Sequence, residues 1–195
     1  MPGRYLDYNE KNIRIAISGK SGCGNTTATK LTAERLGLRF INFTFRNLAA
    51  EKNIPLEEVL RLAETDDYWD REVDRRQIEA ALDDSETGCV LGSRLAIWLL
   101  KQADLKVYLK ADTDVRVRRL IRREGGGFDS VAAFTTDRDA RDHDRYLRLY
   151  GIDNDDYGFA DLVIDSGACT PDEIVSQIAQ KIRDGTNRSG PCERP

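Results

Sequence analysis

Short apolar runs mark the chain at 13–18, 40–43, 89–91, 106–109 and 162–164, and the segments between them carry apolar positions at helical spacing. Runs this short and this continuous suit strands buried on both faces. Strands alternating with helices predict a mostly parallel sheet with helices on either side. The first run passes into a glycine-rich turn and then into Ala28, Leu31 and Leu36, ending at Gly37, which reads as strand, loop and helix. Near the other end, Thr170 as N-cap, Pro171 at the first helical position and Glu173 completing a capping box open a helix with Ile174, Ile178 and Ile182 on one face. Asp112 is the expected N-cap of a further helix carrying Val115, Leu120 and Ile121 among Arg116, Arg118, Arg119, Arg122 and Arg123, and 125–127 break it. From 129 to 150 charges alternate and core residues are few, so an exposed helical cover is expected there.

With 195 residues and 40% hydrophobic content, one well-packed domain is expected, and two ordinary domains with a linker are not. It should span 13–184, after a polar extension at 1–12 and before a tail at 185–195 whose Gly, Pro, Ser and Arg content predicts disorder. One third of the residues are charged, yet the net charge is only -4. That balance, and the lack of basic residues interleaved with aromatic platforms, argues against nucleic-acid binding. The four cysteines form no CxxC pair, which predicts neither a zinc site nor a disulfide framework and fits a reducing cytoplasm. No stretch approaches the roughly 20 apolar residues that span a bilayer, and the first twelve residues lack a signal-like apolar core.

The chemistry begins at Gly19, Lys20, Ser21, Gly22, Cys23, Gly24, Asn25 and Thr26, with Thr27 next. Placed between strand and helix, these residues match a phosphate-binding loop, except that Asn25 stands where the lysine belongs. Glycines let backbone N–H groups converge on phosphate oxygens, the helix N-terminus adds its dipole, and the Thr26 hydroxyl is a candidate magnesium ligand. None of this needs the lysine. What is lost is a point charge over the β and γ phosphates, and Lys20 is the candidate to supply it; the alternative is an exposed turn lysine.

Several further blocks are distinctive: Phe45-Arg46-Asn47-Leu48-Ala49, Asp74-Arg75-Arg76-Gln77, Ser93-Arg94-Leu95-Ala96, the run 103–111, and Arg145-Tyr146 followed by Tyr150-Gly151-Ile152-Asp153. With the loop, they resemble the archaeal-type cytidylate kinases from about 13 to 182. That resemblance implies an α/β fold of the P-loop NTPase kind: three α/β/α layers, a five-stranded parallel sheet, a helical monophosphate-binding region at 44–85 and an arginine-rich helical lid at 125–153. It implies a kinase moving the γ-phosphoryl group of ATP to CMP or dCMP with Mg2+, its partners being these nucleotides. With the composition, the expectation is a cytoplasmic protein that binds neither nucleic acid nor membrane, and a monomer is expected.

Carried over to this sequence, the resemblance implies that Arg46 and Arg94 hold the acceptor phosphate. Asp74 and Gln77, three apart on one helix face, would read the cytosine edge, the alternative for Asp74 being an ordinary ion pair with a neighbouring arginine. Arg138 and Arg145 match lid arginines, and Arg141 falls between them at i, i+3 and i+7, so all three can face one ligand; a solvated charged helix is the alternative. His143 is expected to be exposed and without a role, whereas Tyr146, Tyr150 and Asp153 should anchor the lid's return. Two departures stand out: Asn25, and Gly92 where the family carries a glutamate before its glycine and arginine. They motivate a second reading, a catalytically silent nucleotide binder, and a third is a P-loop kinase for another small acceptor.

Overall fold

A computed structural model of the chain describes residues 12–83 and 87–186. The expected extension at 1–12 and the expected disordered tail therefore lie almost wholly outside the described residues.

The elements run β1 (Arg14–Ser18), α1 (Asn25–Leu36), β2 (Arg39–Ile41), α2 (Phe45–Lys52), α3 (Leu56–Ala63), α4 (Tyr68–Leu82), β3 (Cys89–Gly92), α5 (Ala96–Leu99), β4 (Leu105–Lys110), α6 (Thr113–Glu124), α7 (Phe128–Tyr150), β5 (Leu162–Asp165) and α8 (Pro171–Thr186). All five strands are parallel, in the order β2-β3-β1-β4-β5. Each apolar run read from the sequence is one of these strands.

Pleating divides the core in two. Ile15 and Ile17 of β1 face the layer of α1 and α8, with Val90, Val107, Leu109, Ile164, Ile174 and Ile178. Ala16, between them, faces the layer holding Leu91, Ile97, Leu100 and Tyr108. A third cluster, Leu48, Val59, Trp69 and Val73, joins α2, α3 and α4.

The capping box of α8 forms as read: Thr170 N and Oγ1 both donate to Glu173 Oε2, at 2.8 and 2.9 Å, and Glu173 N donates back to Thr170 Oγ1 at 3.3 Å. Two expectations fail here. Asp112 occupies the N-cap of α6, but its side chain makes no capping bond. And α7 is less of a bare cover than its charge implied, because Thr135, Asp142, Tyr146 and Leu149 are buried. Thr135 donates to the Val131 carbonyl one turn back, whereas Asp142 and Tyr146 are met by Arg94 from outside the helix, a compensation invisible in the helix's own sequence.

β1 lies between β3 and β4, so the chain leaves the sheet in opposite directions on either side of it. Crevices open at the carboxyl ends of parallel strands at such a point. The phosphate loop, Arg94 and the start of α6 all follow the carboxyl ends of these three strands.

Candidate active site

The loop after β1 is a tight turn closed by Cys23 N donating to the Lys20 carbonyl at 3.1 Å. Gly22 and Gly24 take φ of 85° and 91°, a region that favours glycine. Asn25 closes the loop from within, its Nδ2 donating to the Gly19 carbonyl at 2.8 Å, while its Oδ1 is buried and unbonded. Asn25 is therefore a loop fastener at the position where a lysine would project a charge. Thr26 and Thr27 are exposed at the start of α1, and Asn42 Nδ2 lies 3.5 Å from Thr26 Oγ1.

Lys20 borders a pocket together with Gly19, Arg94, Tyr108, Asp139 and Asp142. Its ammonium is 2.6 Å from Asp155, so the structure pairs this candidate replacement charge with a carboxylate. Arg94, just past β3, sits 2.7 Å from Asp142 Oδ2, and Arg145 Nη2 sits 2.8 Å from Asp142 Oδ1. One buried carboxylate thus gathers two guanidinium groups from different parts of the chain, each keeping further donors. Arg145 also lies 3.5 Å from Asp70, yet Arg145 Nε and Asp70 Oδ2 are both buried without a hydrogen bond. Buried polar atoms left open in this way mark a place where a ligand or water completes the set.

Arg138 is partly buried and forms no ion pair among the described residues. Burial, with Arg94 beside it, pushes its pKa down, so its positive charge is the least satisfied on α7. Arg141 does not join it. The Arg141 guanidinium turns back to Asp137, 2.8 Å away on the exposed face, because an acidic residue one turn earlier offers a favourable partner. The predicted trio is a pair.

On the acceptor side, Arg46 is exposed on the first turn of α2, with no hydrogen bond or ion pair among the described residues. Gln77 is buried and its amide donates to the Phe43 carbonyl at 2.5 Å, tying α4 to the segment before α2. Asp74 is no surface ion pair: it accepts from the Tyr150 hydroxyl at 2.7 Å, which anchors the end of α7 as expected. Burial outweighs that bond and pushes the Asp74 carboxyl up to about 6. The folded protein then holds this proton more tightly than the unfolded chain. The contribution is fully present below the ordinary carboxyl range and is lost as pH rises through about 6. We expect Asp74→Asn to abolish roughly 2 kcal/mol of stability loss between about pH 4 and 7, measured as the difference between urea melts of the two proteins. Parallel pH curves for the two proteins would refute this.

His143 is not exposed as expected. It is partly buried, with Nδ1 3.1 Å from Asn154 Oδ1 and 3.6 Å from Asp153. Asp70, Asp139, Asp142 and Asp155 were all missed from the sequence. For Asp70 a signal existed: it lies four residues before Asp74 and seven before Gln77, on the same face of α4.

The family model of the cytidylate kinase-like family matches residues 14–168. Cytidylate kinase 2 of Borreliella afzelii is 45% identical over 174 residues, covering 87% of this chain and 96% of the relative. Cytidylate kinase of Pyrococcus horikoshii is 40% identical over 170 residues, 86% of this chain and 87% of the relative. Among solved structures, shikimate kinase from Acinetobacter baumannii in complex with shikimate superposes with a TM-score of 0.61 at 17% identity, covering 90% and 96% of the two chains, which speaks to the fold alone. The matched span takes in every loop and arginine described above, and with identity at this level across it, the chain belongs to the cytidylate kinase-like family.

Proposed function

We propose that this chain is an ATP-dependent cytidylate kinase, transferring the γ-phosphoryl group of ATP to CMP or dCMP to give CDP or dCDP. The observation that carries this reading is the meeting of Arg94 and Arg145 on Asp142, in the crevice beside the loop's Gly19 and Lys20. The glycine loop is the donor site. The paired guanidiniums form the acceptor-phosphate site, a fork geometry suited to a phosphate dianion. Arg138 completes it by neutralising charge on the transferring group, and catalysis is positioning plus charge stabilisation. Arg46, exposed and unpaired among the described residues, reaches the acceptor phosphate from α2. Here 125–153 acts as the lid and 44–85 as the acceptor-binding region.

Asp74 and Gln77 serve the acceptor side mainly by fixing walls, through Tyr150 and Phe43. Asp74 keeps an oxygen for the base.

Magnesium, carried in on the triphosphate, neutralises phosphate charge. The donors fit it modestly: Thr26 Oγ1 is exposed with one contact at 3.5 Å, and Gly92 offers no carboxylate. Water and phosphate oxygens would supply most of its ligands, as magnesium prefers.

The silent-binder reading is not favoured, since relatives named cytidylate kinase match along most of the chain. Among the described residues no helix is long and apolar enough to cross a membrane; a cytoplasmic location and a monomeric state are part of this proposal. A coupled ADP-release assay is expected to show turnover with CMP and dCMP at least about tenfold above UMP and AMP, the discrimination that hydrogen-bonded base recognition supplies. No turnover with any monophosphate would remove the reading.

A further inference from the structure

Two arginines at the start of α6, Arg116 and Arg119, reach under the phosphate loop, and nothing above gives them a role. Arg116 is only 5% exposed. Its Nη1 donates to the Ser21 carbonyl at 3.2 Å, and the same guanidinium grips Asp139 of α7 at 3.2 and 2.7 Å. Gly22 rests directly on it: a Cβ there would come within 2.9 Å of Arg116 Cβ. Arg119 Nη1 lies 3.2 Å from the Gly22 carbonyl, 3.4 Å from that of Cys23 and 3.1 Å from Ser166 Oγ, and Nη2 donates to the Ser166 carbonyl at 2.5 Å. Ser166 Oγ in turn donates to the Cys23 carbonyl at 2.8 Å.

Two consequences follow from bond geometry and charge. In a trans peptide the carbonyl of one residue and the N–H of the next point in opposite directions. Holding the Ser21 and Cys23 carbonyls outward therefore aims the N–H groups of Gly22 and Gly24 the other way. The second consequence is electrostatic. Every oxygen that Arg119 meets is neutral, and it forms no ion pair among the described residues. Its positive charge stays uncancelled beneath the loop, in a partly dry setting where charge acts more strongly than in water. Lys20 is paired with Asp155 and Asn25 carries no charge, so neither supplies this.

We propose that Arg119, with Arg116 beside it, is the positioning residue that replaces the absent loop lysine, fixing the direction of the loop's N–H groups and placing an uncancelled charge behind them. The inference rests on reading 19–26 as the triphosphate loop.

Calorimetry of Mg·ATP, Mg·ADP and CMP against Arg119→Gln tests it, because glutamine keeps a donor and removes the charge. We expect Mg·ATP to weaken about tenfold or more, Mg·ADP less, and CMP by under about twofold. Adding Asn25→Lys to that variant should recover at least about threefold, and a smaller factor when added to the native protein, the non-additivity expected of two groups doing one job. Should Arg119→Gln fail to fold, Arg119→Lys carries the test: with its charge kept, the ratio of ATP to CMP affinity should stay within about threefold of native. Equal losses for ATP and CMP, unchanged ATP binding, a collapsed ratio in the lysine variant, or the same gain from Asn25→Lys in both backgrounds would overturn it. A native protein that turns over no monophosphate yet shows this pattern would overturn the kinase reading and leave this one standing.

Discussion

Arg94→Met is expected to lower kcat/KM for CMP about a thousandfold while leaving Mg·ATP affinity within about threefold, since loss of a guanidinium on a phosphoryl-transfer site has effects of this order. Arg94 lies two residues past the end of β3 and is tied to both Asp142 and, at 3.5 Å, the Tyr146 hydroxyl. Methionine preserves much of the side chain's apolar stem, so packing changes little. Asp142 keeps its bond to Arg145, and no buried carboxylate is left without a cation. Steady-state kinetics with CMP varied at saturating ATP, beside ATP calorimetry, separates the two sites. An equal loss on both would show that Arg94 supports the fold and does not hold the acceptor.

Gly92→Glu, which introduces the glutamate that the family resemblance implies at this position, is expected to destabilise the protein by about 3 kcal/mol or more. A Cβ at Gly92 would lie 2.2 Å from Thr29 Oγ1 and 2.9 Å from two other Thr29 atoms. Thr29 cannot easily withdraw, being fully buried on α1 and donating to the Asn25 carbonyl at 2.7 Å. The new carboxylate would also lose much of its hydration. For a chain of this length that corresponds to a fall in Tm of roughly 6–12 °C. Thr29→Gly in the same molecule should return part of the loss by opening the space, and thermal melts of the single and double variants decide it. A Gly92→Glu protein as stable as the native one would show that β3 and α1 part readily, against the close fit described here. The missing glutamate is thus bound up with packing: Thr29 fills its space.

Strand positions and strand-to-helix order were legible because they depend on local patterning. Ile15 and Ile17 must be buried whatever surrounds them, and the Thr170 and Glu173 box needs only three residues of helix. The glycine loop was equally legible, since positive φ at Gly22 and Gly24 is a property of the backbone there. Family motifs added the sheet's size and singled out the arginines proposed for the acceptor. Side-chain direction was not legible. Arg138, Arg141 and Arg145 share a helical face by spacing, yet a carboxylate one turn back takes the middle one to solvent. Gln77 was read as facing a base and instead meets the Phe43 carbonyl.

By itself the sequence determined a parallel α/β sheet, a lysine-less phosphate loop and a supply of arginines able to serve it. Only the tertiary structure decided which arginine meets which anion. Asp142 lies 48 residues from Arg94 in the chain and 2.7 Å away in space, and Arg119 lies 97 residues from Gly22 in the chain and 3.2 Å from its carbonyl oxygen. Hydrophobic periodicity is local and survives in the linear order, whereas the partner of a charge is set by how separate elements come together.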